Sequence, residues 1–143
     1  TRADIGFRLL GPMVHTARAE CLLRLGQFDA ARDNARVALG QARTTGHGIY
    51  ESETLRVLAE LTLIETGDAL AAEAIYRESM IVARRRKARG FELRSALALA
   101  HVQAARGRRV EARAILAPIL ETFTEGLDTH DPREAARLLA SLG

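Results

Sequence analysis

The strongest constraint on this chain is a motif that it contains three times. Ala19, Gly26 and Ala31 recur as Ala59, Gly67 and Ala72, and again as Ala100, Gly107 and Ala112. The glycines are 41 and 40 residues apart, the first alanines 40 and 41. Each copy reads as helix, tight turn, helix. Glycine at the turn lets the chain leave a helix through a left-handed conformation. The alanines let two helices approach closely. Self-similarity at a fixed period is the signature of a helical solenoid, whose units pack on their neighbours and present an extended binding surface.

Composition agrees. Hydrophobic residues make up 48% of the 143-residue chain, but aromatics only 4%, with no Trp. An apolar content carried by Ala and Leu suits packed helices, and three prolines with few β-branched runs argue against sheet. The length suits one domain. A net charge of +3 does not argue for a nucleic-acid surface. Cys21 is the only cysteine, which leaves no internal disulfide or cysteine metal cluster and fits a reducing, cytoplasmic setting. There is no 18-residue apolar run and no signal peptide, so no membrane partner is expected. The chain opens at Thr1 and reads as a fragment of something longer.

The units are expected at 11–46, 49–88 and 90–125. Residues 1–8 read as the end of a preceding element or a connector, and Pro12 as the first-turn proline of a helix from Gly11 to Leu25. That helix carries Val14, Ala17, Cys21, Leu22 and Leu25 as its apolar face. The second helix spans Phe28 to Thr45, with Ala31, Ala35, Ala38 and Ala42 inward. In the second unit Asp68 reads as an N-cap. Its turn is one residue longer than the others, since Ala59 to Gly67 is eight residues rather than seven. Pro118 falls inside the last helix of the third unit and should kink it. Asp131, Pro132 and Glu134 read as N-cap, first-turn proline and capping-box acid of a capping helix over 131–142.

Few residues point to chemistry. Gly46-His47-Gly48 lacks the Lys-Ser/Thr of a phosphate loop and reads as an interhelical turn. The histidines at 15, 47, 101 and 130 share no metal-ligand spacing. His130 with Asp128 and Asp131 has two readings, a cation site or a solvated loop with a cap. Cys21, on an apolar helix face, reads as a buried structural thiol in preference to a nucleophile. Arg84-Arg85-Arg86-Lys87 with Arg89 is either an anionic contact or a set of cations at a helix C-terminus. No catalytic, metal or cofactor residue emerges.

A polar stripe on the first helix of each unit is the candidate binding face. With the repeated alanines turned to the partner helix, Glu20, Glu60 and His101 point into the concave surface. Thr16, Arg56 and Leu97 lie about one turn earlier, and Met13, Glu53 and Arg94 about one turn before those. Glu53, Arg56 and Glu60 share one helix face. They read either as an intrahelical ion-pair ladder or as part of a mixed-charge groove that recognises a peptide or domain.

Each unit resembles a tetratricopeptide repeat: Ala19, Gly26, Phe28, Ala31 and Ala38 fall at that motif's small, turn and aromatic positions. The period of 40–41 exceeds the usual 34 and implies longer helices. The setting is narrowed by Gly6-Phe7-Arg8-Leu9 with Pro12, by Ala19-Glu20 with Gly26-Gln27, and by Glu53, Arg56 and Glu60-Leu61. Phe91-Glu92-Leu93-Arg94-Ser95-Ala96, Leu116-Ala117-Pro118 and above all Phe123-Thr124-Glu125-Gly126-Leu127-Asp128-Thr129 with Asp131 add to it. This series resembles the C-terminal repeat region of large bacterial signalling proteins. Those chains often carry an adenylate/guanylate cyclase or DNA-binding activator domain ahead of an AAA-like ATPase module.

The resemblance implies a bacterial cytoplasmic origin and carries over no catalytic residue. The expected fold is all-α: three helical hairpins in a right-handed superhelix plus a C-terminal capping helix. The expected function is non-catalytic docking of a protein or peptide segment, including other domains of the parent chain. A weak homodimer through Ile5, Phe7, Leu9 and Leu10 is a further expectation. The alternatives are a regulatory small-molecule sensor and the repeat domain of a transcriptional activator.

Overall fold

The computed structural model describes residues 2–45 and 48–143, with side chains from residue 11 onward except at Thr45. Gly46 and His47 lie outside the described residues, as do the side chains of Ile5, Phe7, Leu9 and Leu10. The described residues form seven helices and no strand: α1 Arg2–Arg24, α2 Phe28–Thr45, α3 Ile49–Thr66, α4 Ala69–Arg85, α5 Arg89–Ala105, α6 Arg109–Glu121 and α7 His130–Ser141. The chain is all-α.

The repeated glycines make the turns for the expected reason. Gly26, Gly67 and Gly107 have φ of 76°, 67° and 76°, a region L-residues avoid. At Gly26 the Gln27 N–H donates to the Leu22 carbonyl and the Gly26 N–H to Leu23, a Schellman closure. Arg108 and Gly107 repeat it on Gln103 and Ala104. The longer middle turn differs: the Gly67 N–H donates to Leu63, one residue further back relative to the glycine, and Asp68 then caps α4 by accepting from the Ala71 N–H at 3.0 Å. The α4–α5 turn has the same Schellman closure, but Lys87 stands at the left-handed position with φ 57°.

The odd-numbered helix of each hairpin packs on the hairpin before it: α3 touches α1 and α2, and α5 touches α3 and α4, whereas the backbones of the even helices α2, α4 and α6 stay apart and α2 meets α4 through the Arg43–Glu78 ion pair. α3 and α5 are therefore enclosed on several sides and bury a mixture of residue types. One apolar cluster joins Ala19, Leu23, Ala31 and Ala35 of the first hairpin to Val57 and Leu61 of α3. A second joins Ala59, Ala72 and Tyr76 to Leu99 of α5. A third links Leu93, Leu97, Ala100, Ala112, Leu116 and Ile119 to Ala135 of α7. Fully buried leucines such as Leu61 and Leu99 each contribute on the order of 1.5–3 kcal/mol. Ser52, Ser79 and Ser95 pack where α3, α4 and α5 meet. Their hydroxyls bond to one another at 3.0 and 2.6 Å, which satisfies polar groups that are almost wholly buried. α7 turns Pro132 and Ala135 inward and leaves Arg133, Ala136, Arg137 and Ala140 exposed, so it covers α5 and α6 with one face and meets water with the other.

Several local expectations are corrected. α1 starts at Arg2, so Pro12 is inside the helix rather than at its first turn. The residue before it is Gly11, whose missing Cβ relieves the clash a proline makes with its predecessor. Gly11 also sits against the Gln41 side chain of α2, within 2.8 Å of where a Cβ would stand. α1 buries Pro12, Thr16, Ala19 and Leu23, while Val14, Ala17, Cys21 and Leu25 are exposed. Cys21 is thus not a buried thiol. The α2 seam of Ala31 and Ala35 selects the Ala19–Leu23 face. The stripe expected inward matches the α3 positions, Val57 and Leu61, that pack on a preceding hairpin. α6 ends at Glu121, three residues past an exposed Pro118 and before the expected 125. α7 begins at His130 with Thr129 at the N-cap position. Asp131 lies inside the first turn, and its carboxylate engages Arg94 and His130 rather than capping the helix.

Candidate functional site

The repeat period places Glu20, Glu60 and His101 at equivalent positions on α1, α3 and α5, with Glu53 and Arg94 equivalent to Met13 one and two units on. These helices touch in sequence, so their side chains meet across helix boundaries. The ion pairs form a ladder between helices, not only within α3. Arg56 Nη2 lies 2.7 Å from Glu20 Oε1 on α1, and Arg56 Nε lies 2.9 Å from Glu53 Oε2. Glu53 Oε1 accepts from Arg94 Nη1 of α5 at 3.0 Å, and Arg94 Nε donates to Asp131 Oδ2 of α7 at 3.1 Å. Four helices are thereby tied by five residues. Glu60 stands further off, 3.8 Å from Arg56 Nη1.

Burial decides what this ladder is worth. The Arg56 and Glu53 side chains are 9% and 8% exposed, so each charge depends on its partners for solvation. Burial pulls the Arg56 pKa down. The charge of Glu53, and the hydrogen bonds and charge of Glu20, outweigh it and hold the guanidinium above its ordinary value. Burial pushes the Asp131 carboxyl up, but hydrogen bonds from His130 and Arg94 and their charges bring it below the usual range. Tyr76, on α4 behind the ladder, is pushed up to about 12 by burial and then by the charge of Glu60.

Beside the ladder runs a row of apolar side chains. The Tyr50 hydroxyl donates to Met13 Sδ at 3.6 Å, and the Tyr50 and Phe91 rings lie 6.3 Å apart at a 46° tilt. The Arg94 guanidinium stands 6.0 Å from the Phe91 ring centre, a cation–π distance. Met13, Tyr50, Phe91, Glu20, Glu53 and Arg94, with Thr16 and Ala17, line one open hollow of about 180 Å³. Tyr50 and Phe91 were not singled out by the polar stripe. Their spacing of 41 residues, the same as that of Gly26 and Gly67, is the signal that could have found them.

The nine expected face residues therefore divide. Met13 is 41% exposed at the rim of the hollow, and Glu20, Glu53 and Arg94 line it. Arg56 is buried behind Glu20 and Glu53, while Glu60 is half-buried and His101 exposed. The remaining two are buried as well. Leu97 is 7% exposed, packed among Leu93, Ala100 and Leu116 instead of facing outward. Thr16 is buried with its hydroxyl 2.8 Å from that of Thr54, because α1 and α3 approach closely there.

The basic run is largely engaged within the fold. Arg84 pairs with Glu92 at 2.7 Å, the Arg86 guanidinium sits on Gly48, and Arg89 donates to the Thr122 carbonyl and stacks on Phe123. A second hollow of about 400 Å³ opens between the starts of α5 and α7, lined among others by Leu93, Arg94, Phe123, His130 and Asp131. Among the described residues no group of three or more His, Cys, Asp or Glu could hold a metal ion, and no helix is long and apolar enough to cross a membrane. Compared with protein-family models, curated proteins and solved structures, the chain matches none.

Proposed function

We propose that this chain is a non-catalytic interaction module, a tetratricopeptide-like superhelix whose face across α1, α3 and α5 docks a protein segment. The observation that carries the reading is the row Met13–Tyr50–Phe91. Three large side chains, one from each first helix, stand side by side, Met13 41% exposed and Tyr50 and Phe91 half-buried. Part-exposed aromatics beside fixed charges are what peptide recognition uses: the apolar row contributes affinity and the charges set register. The hollow of about 180 Å³ is below the roughly 300–1,000 Å³ of small-molecule pockets, and suits one side chain of a segment lying across it.

In this reading, which the resemblance to bacterial signalling proteins supports, such a module stands beside a cyclase or activator domain and an ATPase module, in the cytoplasm. The docked segment then belongs to a partner or to the parent's own regulatory domain. A second reading, small-molecule sensing, is favoured by the larger hollow at Phe123–Pro132. Its volume of about 400 Å³ falls within the pocket range, and Arg94 belongs to both it and the ladder.

The test is a selection of displayed random peptides on the full chain. Peptides that bind should lose at least about tenfold in affinity to Tyr50→Ala or Phe91→Ala, since aromatic anchors each contribute on the order of 1–2 kcal/mol. They should be indifferent to Ile81→Ala beside the α4–α6 gap. Binding that ignores Tyr50 and Phe91 overturns the assignment.

A further inference from the structure

The charges along the docking face do not balance. Two guanidiniums, Arg56 and Arg94, serve four carboxylates: Glu20, Glu53, Glu60 and Asp131. Both oxygens of Glu53 are taken, one by each arginine. Asp131 is held by Arg94 and by the ring nitrogen of His130. The surplus therefore lies with Glu20 and Glu60, on either side of one buried guanidinium. Glu20 engages Arg56 through Oε1, and Glu60 comes no nearer than 3.8 Å. Their side chains are 30% and 34% exposed, against 9% for Arg56, so around Arg56 the carboxylates and not the cation meet incoming solute, while the other cation of the set, Arg94, is 47% exposed at the Phe91 end of the face. This negative strip lies on a chain of net charge +3, and so marks one face as electrostatically distinct from the rest.

We propose that the segment docked on this face is basic: it carries a Lys or Arg that meets Glu20 and Glu60, flanked by an apolar side chain that lies on Met13, Tyr50 and Phe91. The inference rests on the reading of this face as a docking site and adds the chemistry of its occupant. The cation completes a half-neutralised set, with three carboxylates already around Arg56. The neighbouring apolar side chain enters the hollow that Glu20 shares with Met13 and Tyr50. An acidic segment would instead meet like charge at Glu20 and Glu60, which turns the surplus into discrimination between partners.

The peptide selection on the full chain tests both levels separately. The expected binders are enriched in Lys or Arg next to Leu, Met or an aromatic, and weaken about three- to fivefold on Glu60→Gln, a rim-charge effect. Glu60→Gln is chosen because its distance from Arg56 lets the fold survive it, checked by an unchanged helical circular-dichroism signal. The same peptides should weaken further as salt is raised well beyond physiological strength, since exposed charges are screened over about 8 Å at that strength. Binders that need Tyr50 and Phe91 but show no basic enrichment and no response to Glu60→Gln or salt overturn this proposal and leave the docking face standing. Binders that are acidic overturn it outright. The absence of any binder dependent on Tyr50 or Phe91 overturns the docking face as well.

Discussion

Arg56 on α3 reaches back to α1, its Nη2 2.7 Å from Glu20 Oε1, while its Nε holds Glu53 at 2.9 Å on its own helix. Glu53 in turn grips Arg94 on α5. One buried carboxylate thus links two hairpins. Removing it takes one of the two hydrogen-bonded carboxylates from Arg56 and cuts the link to Arg94, while Glu20 stays on the guanidinium. Glu53→Ala should cost about 1.5–3 kcal/mol. Glu60→Gln, at the partly exposed end of the ladder, should cost less than about 1 kcal/mol. Urea unfolding midpoints measure both, and equal losses would show that burial does not set the energetics of the ladder.

The left-handed turns give a second expectation. No atom lies within 4 Å of a Cβ built on Gly26 or Gly107, so the penalty for replacing either is conformational and not steric crowding. Gly26→Val should therefore destabilise by more than about 1 kcal/mol, and Gly26→Asn by less, because Asn tolerates positive φ. Lys87, at φ 57° in the equivalent turn after α4, should respond the other way. Lys87→Gly is expected to stabilise by roughly 0.5–1 kcal/mol, the relief of strain less the added freedom of the unfolded chain. Thermal melts of the three variants check this, and a loss of stability in Lys87→Gly would contradict it.

Much of this was legible in the chain itself. Ala31, Ala35, Ala38 and Ala42 at helical spacing define the α2 seam, and all four are buried. The spacing of Ala59 and Gly67 anticipated a different middle turn, and the hydrogen bonds there do differ. What periodicity could not supply was orientation. Val14, Ala17 and Cys21 are apolar at the right spacing, yet they are exposed, because a stripe does not say which neighbour is present to cover it. Leu97 lies on the stripe of Arg94 and His101 by spacing, but α6 and α7 bury it. The ladder was half visible: Glu53, Arg56 and Glu60 lie on one helix, whereas the reach to Glu20, Arg94 and Asp131 is tertiary and leaves no local pattern. Asp131 was readable as a cap, since a carboxylate near a helix start has that as its nearest use.

The Asp131 carboxyl gives a dependence on acid. Its folded pKa is depressed below the unfolded value, so its contribution is present above that value and is lost as pH falls through the folded one. The chain should lose stability below about pH 4, near the ordinary carboxylate range. Asp131→Asn should be less stable at neutral pH and show a shallower acid decline. Parallel curves for the two proteins would mean that the contact with Arg94 contributes nothing.

Tyr76 gives the opposite arm. Its pKa is raised to about 12, so the stability it adds is complete below its ordinary value of 10.0 and is lost as pH climbs towards 12. Phenolate absorbance follows it, and Tyr76→Phe should abolish a step near 12. A step near 10 that disappears in that variant instead would contradict the burial described for it.

The two methionines offer the most direct test of the docking face. Met13 lies at the mouth of the hollow formed by α1, α3 and α5, and Met80 lies with Ile81 and Ile115 at the gap between α4 and α6. With the methionine methyls isotopically labelled, the full chain should give two resolved signals. Titration with the tightest selected basic–apolar peptide should move the Met13 signal and leave that of Met80 in place. A shift confined to Met80, or an unmoved Met13 under saturating peptide, would contradict docking on this face.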